Sequence, residues 1–212
     1  MDFYKPLFEQ NFGKYLFGDF RQLPEPDTEE EREAWYNVFY WIKGHAMMGR
    51  DPGFQKEVAD TLKVLKKVKK KYADILEPNY KILYRGISLE QLRLSSNDLP
   101  VDYKNYKIMA TKYGSYHLYP LGTMIYKARG PAQSWTASLE SAVEFVQGIY
   151  GYPEGLIYEY DFSKSPDQII FNTNFLNKVF SHSVDRPGSR QEEIIRISNK
   201  TINCKVYYFK NV

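Results

Sequence analysis

The chain has one cysteine, Cys204, so it can form neither an internal disulfide nor a multi-cysteine metal site. Histidine is also scarce. His45, His117 and His182 are scattered along the sequence, and no metal centre is expected. No apolar run approaches the roughly 20 residues that a membrane-spanning helix needs. The opening Met1-Asp2-Phe3-Tyr4-Lys5 lacks the basic-then-apolar layout of a secretory leader. The expectation is a cytoplasmic-type soluble protein with no membrane partner. A large excess of one charge is missing too: 29 Lys and Arg oppose 26 Asp and Glu. A net charge of +3 permits an acidic or nucleic-acid partner without requiring one. What is plentiful is aromatic surface, with 19 Tyr, 13 Phe and 3 Trp. Such residues fit pleated, half-buried strands and also make stacking surfaces. The apolar fraction of 43% is enough for a core, and 212 residues suit one domain or a small domain with an accessory piece.

The first 78 residues read as helical. Thr28 followed by Glu29-Glu30-Glu31 forms a capping box, and its acids favour the positive end of the helix dipole. That helix is expected to reach about Met48, with Ala34, Val38, Trp41 and Ile42 on one face. Asp51 and Pro52 open a second, amphipathic helix expected to end near Glu77-Pro78. Its apolar positions are Phe54, Val58, Leu62, Leu65, Val68, Tyr72 and Ile75. From 79 onward the texture is that of short strands separated by turn clusters. Strands are expected at 81–86, 122–128, 133–137, 155–161, 168–171, 191–197 and 202–209. One helix interrupts them, capped by Ser138 and running 139–147. Helices first and strands after indicate an α+β class with an antiparallel or mixed sheet.

Three strings carry the candidate chemistry: Tyr84-Arg85-Gly86, Ser134-Trp135-Thr136-Ala137-Ser138, and Gln191-Glu192-Glu193-Ile194-Ile195. An arginine beside a glycine can fork onto phosphate oxygens while the backbone stays open to a ligand. Ser134, Thr136 and Ser138 alternate along a strand, where one hydroxyl can orient a carboxylate and another cap a helix. Glu193, at the mouth of an apolar strand, can bond a sugar hydroxyl and stabilise nearby positive charge. Gln191, two residues earlier, shares its face. Each residue taken singly also has a plain structural reading: a strand-end arginine, a polar strand face, a strand-edge glutamate.

In this order the strings resemble the arginine–serine–glutamate class of mono-ADP-ribosyltransferases, the diphtheria- and cholera-toxin-like superfamily. The similarity runs from about residue 80 to 212. Its most specific part is Trp135-Thr136-Ala137-Ser138 with Ala142 and Phe145 in the following helix. The Tyr-Arg-Gly-Ile-Ser of residues 84–88 is similar to the small enzymes of T-even-type bacteriophages. The resemblance implies a split, mostly antiparallel β-sandwich core at 79–212 with the helical region 1–78 packed on it. It implies NAD as substrate, no metal, and a phage effector or bacterial toxin. Arg85 would bind the NAD diphosphate, the Gly86 backbone would bond the nicotinamide amide, and Ser134, Thr136 and Ser138 would line the pocket. Thr136 would hold Glu193, which would stabilise the oxocarbenium as nicotinamide leaves.

Two positions depart from the family pattern. Ala137 replaces a hydroxyl, and the last motif is Gln-x-Glu. A glutamine suits an amide or base edge better than a guanidinium, so the macromolecular acceptor, protein or RNA/DNA, is expected not to be arginine. An NAD glycohydrolase, or a non-enzymatic binding module keeping the fold, are the alternatives, and an inhibitory partner is compatible with each. Six lysines within 63–71 read either as a solvated helix back or as a surface for nucleic acid or an acidic partner. Tyr103, Tyr106, Tyr113, Tyr116 and Tyr119 read as a loop packing its aromatics on the sheet, or as a surface for base stacking.

Overall fold

The Thr28 hydroxyl accepts a hydrogen bond from Glu31 N at 3.2 Å, while the Glu31 carboxylate reaches back to Asp27 N at 3.1 Å. The expected capping box thus opens the first helix, with the glutamate one residue further back than the standard box places it. The computed structural model describes residues 26–42, 52–73, 81–111, 114–128, 131–164, 169–172, 193–198 and 201–212; for Glu193 the backbone alone is described. Its elements are α1 (Glu29–Ile42), α2 (Pro52–Lys67), β1 (Ile82–Ser88), α3 (Leu89–Leu92), β2 (Lys107–Thr111), β3 (Gly114–Tyr126), β4 (Ala132–Thr136), α4 (Leu139–Tyr150), β5 (Glu154–Asp161), β6 (Ile169–Asn172), β7 (Glu193–Ile197) and β8 (Ile202–Asn211). Residues 43–51, Asp51 included, and 74–80 lie outside the described residues, and with them the expected ends of both long helices.

Regular helix stops at Lys67, earlier than the apolar spacing predicts. Lys71 N and Tyr72 N then bond the carbonyls of Val68 and Lys69, three residues back rather than four. This tightening turns Lys71 and Tyr72 onto Glu31, whose carboxylate accepts from the Tyr72 hydroxyl and from Lys71 Nζ. Glu31 is 1% exposed, so these partners offset its desolvation. Burial, then the bond to Glu31, pushes the Tyr72 phenol up to about 12 from an ordinary 10.0. The folded state therefore keeps a proton that the unfolded chain loses. The stability this adds is complete below pH 10 and is lost as pH rises from 10 to 12. Within that window Tyr72 contributes a slope of up to about 1.4 kcal/mol per pH unit. Denaturation midpoints are expected to fall across pH 10–12, and less steeply in Tyr72→Phe; equal slopes in the two proteins would refute the link.

The eight strands among the described residues join one antiparallel sheet in the order β2-β3-β8-β5-β1-β4-β7-β6. The α+β class and the antiparallel sheet are as the sequence predicts. The ladder is uneven. β1 pairs with β5 at seven positions but with β4 at one, Tyr84 opposite Thr136. A five-stranded part and a three-stranded part therefore meet at a narrow seam. The sheet curls strongly enough for Tyr126 of β3 to reach Trp135 of β4, with ring centroids 5.4 Å apart.

The long helices cover one face. Ala34, Val38, Val58 and Leu65 pack with Ile169, and Ala142, Val143 and Val146 pack with Ile157 and Phe209. The concave face is filled by Leu83, Tyr126, Trp135, Tyr158, Tyr160 and Tyr208. The tyrosine-rich segment is a loop only in its first part: Tyr103 and Tyr106 precede β2 and set their ring centroids 5.3 and 5.7 Å from that of Tyr119, as the loop reading expects, whereas β2 and β3 pair as antiparallel strands. Tyr116 and Leu118 are buried on one face and Tyr119 on the other, so no apolar–polar alternation marks the strand. Of the five tyrosines, Tyr103 and Tyr106 are exposed, Tyr116 and Tyr119 are buried, and Tyr113 lies outside the described residues.

Candidate functional site

Residues 84–86, 134–136 and 193–195 of the three strings fall on β1, β4 and β7, which are neighbours, and the first two meet at the seam. Alternation along β1 sends Arg85 and Gly86 to opposite faces. A Cβ on Gly86 would lie 2.0 Å from the Ala142 carbonyl oxygen and 2.7 Å from Val146 Cγ2. The close approach that this glycine permits is therefore to α4. Arg85 lies on the concave face, where Nη1 donates to the Ser134 carbonyl and the guanidinium stands 5.9 Å from the Tyr126 ring centre. Its Nε is buried with no hydrogen-bond partner. Among the described residues no carboxylate pairs with Arg85.

On β4, Trp135 packs into the concave face while Ser134 and Thr136 alternate to the other. Thr136 is 8% exposed, and its Oγ1 accepts from Ser138 N at 3.1 Å, leaving its own proton free to donate. Ser138 is the α4 cap, as the sequence predicts: its Oγ accepts from Ser141 N at 3.1 Å. In the helix itself Ala142, Val143 and Val146 are buried, whereas Phe145 is 39% exposed.

Glu193 stands directly opposite Thr136 in the β4–β7 ladder. Together with Tyr84 opposite Thr136, this makes a row of three residues across three strands, spanning about 10 Å at ordinary strand spacing. The structure thus brings Thr136 and position 193 into register, and Ser138 within a turn of them. It does not bring Arg85 onto that face; the arginine reaches the same seam from behind. Gln191 lies outside the described residues.

The row continues through residues that sequence reasoning passed over. Tyr84 is opposite Glu159, and Glu159 is opposite Lys205. Lys205 Nζ and the Tyr207 hydroxyl each donate to the Glu159 carboxylate at 3.0 Å. Burial, then the charge of Glu159, raises the Tyr84 phenol; burial and the Glu159 bond push Tyr207 up to about 12. A glutamate amid Leu156-Ile157-Tyr158-Glu159-Tyr160 was the available signal. Arg196, inside an isoleucine-rich strand, was another. It is fully buried, donates to Gln133 Oε1, and is held below its usual range by desolvation. Gln133 Nε2 donates to the Pro131 and Ser198 carbonyls at 3.0 and 2.8 Å, which ties β4 to the end of β7. Burial pushes the Cys204 thiol up to about 12, away from thiolate chemistry.

Among the described residues no cluster of His, Cys, Asp or Glu could hold a metal ion. No helix among them is long and apolar enough to cross a membrane. The chain matches no family model, no curated protein and no solved structure.

Proposed function

We propose that the chain is an NAD-dependent mono-ADP-ribosyltransferase, which cleaves the nicotinamide–ribose bond and passes ADP-ribose to a macromolecule. The observation that carries this reading is the convergence of the three motif strings. They lie on three adjacent strands, with Tyr84, Thr136 and Glu193 in one row at the seam. Strings 48 or more residues apart have no local reason to meet in that way.

In this reading Glu193 bonds the 2′-hydroxyl of the nicotinamide ribose and its charge stabilises the oxocarbenium as nicotinamide departs. Thr136, with a free hydroxyl proton beside position 193, orients that carboxylate. The reaction is dissociative, so the protein's contribution is electrostatic and positional. Beyond Tyr84, towards Gly86, the β4-facing edge of β1 has no registered strand partner. That edge is where the Gly86 backbone would meet the nicotinamide amide. Arg85 fastens β4 to β1 through Ser134, and the guanidinium N–H groups not committed to that carbonyl would be the donors for a diphosphate oxygen. Gln191 would present an amide or base edge of the acceptor.

Incubation of the protein with adenine-labelled NAD and cell lysate, with and without nuclease, tests the reading. Label on protein or on nucleic acid supports transfer and names the acceptor class. Free ADP-ribose in every sample identifies a glycohydrolase instead, and unconsumed NAD excludes both.

A further inference from the structure

The lysines of α2 and the turn after it are not equivalent. Lys71 is committed to Asp27 at 2.8 Å and Glu31 at 3.1 Å. Lys63, Lys66, Lys67 and Lys70 are exposed and form no ion pair or hydrogen bond among the described residues. Residues 56–71 hold seven lysines against Glu57 and Asp60, a net +5, whereas the whole chain is +3. The remaining residues together are therefore net −2, so the net positive charge of the chain lies in this segment.

The usual solvated helix back mixes signs three and four residues apart, because opposite charges there stabilise the helix and like charges destabilise it. Here Lys63 is followed three and four residues on by Lys66 and Lys67; Asp60, three residues before Lys63, is the nearest acid on the helix, and none occurs from 61 to 71. Lys66 and Lys67 lie in the last turn, where they offset the helix dipole; Lys63 does not. Among the residues of α2 whose side chains are described, no exposed one is apolar and larger than Ala59. Protein interfaces deplete lysine and need a desolvated apolar or aromatic centre, whereas nucleic-acid interfaces are polar and strongly positive. We infer that this surface binds the phosphate backbone of a nucleic acid. Position favours a link to the site: α2 packs on β6, the strand beside β7, where Glu193 lies. The exposed Tyr103 and Tyr106 are near the opposite edge of the sheet and do not extend this surface. That the bound nucleic acid is also the ADP-ribose acceptor rests on the transferase reading; the binding itself does not.

The test is binding of the full chain to labelled single-stranded RNA, single-stranded DNA and duplex DNA across a salt series. The wild type is compared with K63E/K66E/K67E/K70E and with K104E/K107E/K210E near the opposite edge of the sheet. Four phosphate contacts on a single strand give a log–log salt slope of about −3, an affinity loss of about fifty-fold from 50 to 200 mM salt. The quadruple variant is expected to lose most of that slope and at least tenfold in affinity at low salt, while the control variant retains both. An unchanged slope in the quadruple variant, an equal loss in the control, or no binding at 50 mM salt would overturn the inference. Polyglutamate competing as well as RNA would overturn it in favour of an acidic protein. NAD cleavage without acceptor is measured in the same preparations and is expected to be unchanged. Lysine-dependent RNA binding without NAD cleavage would leave this inference standing and remove the transferase; cleavage without such binding would do the reverse.

Discussion

In the proposed transferase, Glu193→Gln is expected to slow NAD cleavage by about 10²–10³-fold while leaving NAD affinity within a few-fold. Glutamine keeps the length of the side chain and can still bond a ribose hydroxyl, but it carries no charge. The bound substrate needs little from that charge, since the sugar becomes cationic only as nicotinamide leaves. An interaction present only in the transition state affects turnover and not binding. The loss corresponds to about 3–4 kcal/mol of barrier, the scale measured for single electrostatic contacts in active sites. Thr136→Val is expected to follow with a smaller loss, because it removes the hydroxyl beside position 193 and not the charge. Calorimetric NAD affinity and single-turnover cleavage separate the two quantities. Parallel losses in both would mean that Glu193 holds substrate and does not assist bond breaking.

Gly86→Ala is expected to destabilise the fold by about 3 kcal/mol or more, the upper end for overpacking. The added methyl carbon would be 2.0 Å from a main-chain oxygen, Ala142 O, so no rotamer change relieves it. To make room, α4 has to lift, drawing Ala142, Val143 and Val146 away from Ile157 and Phe209. At this chain length that loss lowers the midpoint of thermal denaturation by about 6–12 °C. Because Ser138 caps α4 and Thr136 bonds the Ser138 amide, the displacement reaches the candidate site as well. Stability and NAD cleavage are expected to fall together. A shift of less than about 2 °C would mean that α4 is not seated on β1 as described.

The parts legible in the sequence were those set by neighbours. The capping box of Thr28 and Glu31, the Ser138 cap, the α+β class and most strand positions each depend on residues within a few places of one another. What was not legible depends on register. Tyr116 to Tyr119 carry apolar or aromatic side chains on both faces, so the alternation that announces a strand is absent. Helix α2 stops at Lys67 because Lys71 and Tyr72 have a partner 40 residues away, in Glu31. Beside Arg85, Gly86 suggests backbone left open to a ligand. Its nearest neighbour is the Ala142 carbonyl, 56 residues on. The separation of Arg85 from the Thr136–Glu193 row follows from one pairing, Tyr84 with Thr136, which no local pattern encodes.

The strand order also bears on how the chain acquires this structure. β8 follows every other described strand in sequence, yet it lies inside the sheet between β3 and β5, pairing with both. Until it is made, the β2–β3 hairpin and the β1–β5 pair each show a long unpaired edge bearing Tyr116, Leu118, Leu156 and Ile157. Such edges are templates for pairing with other chains, and contacts this distant in sequence form slowly. Synthesis is therefore the vulnerable period for this protein. A chain halted before residue 202 would present two sticky half-sheets with nothing to join them.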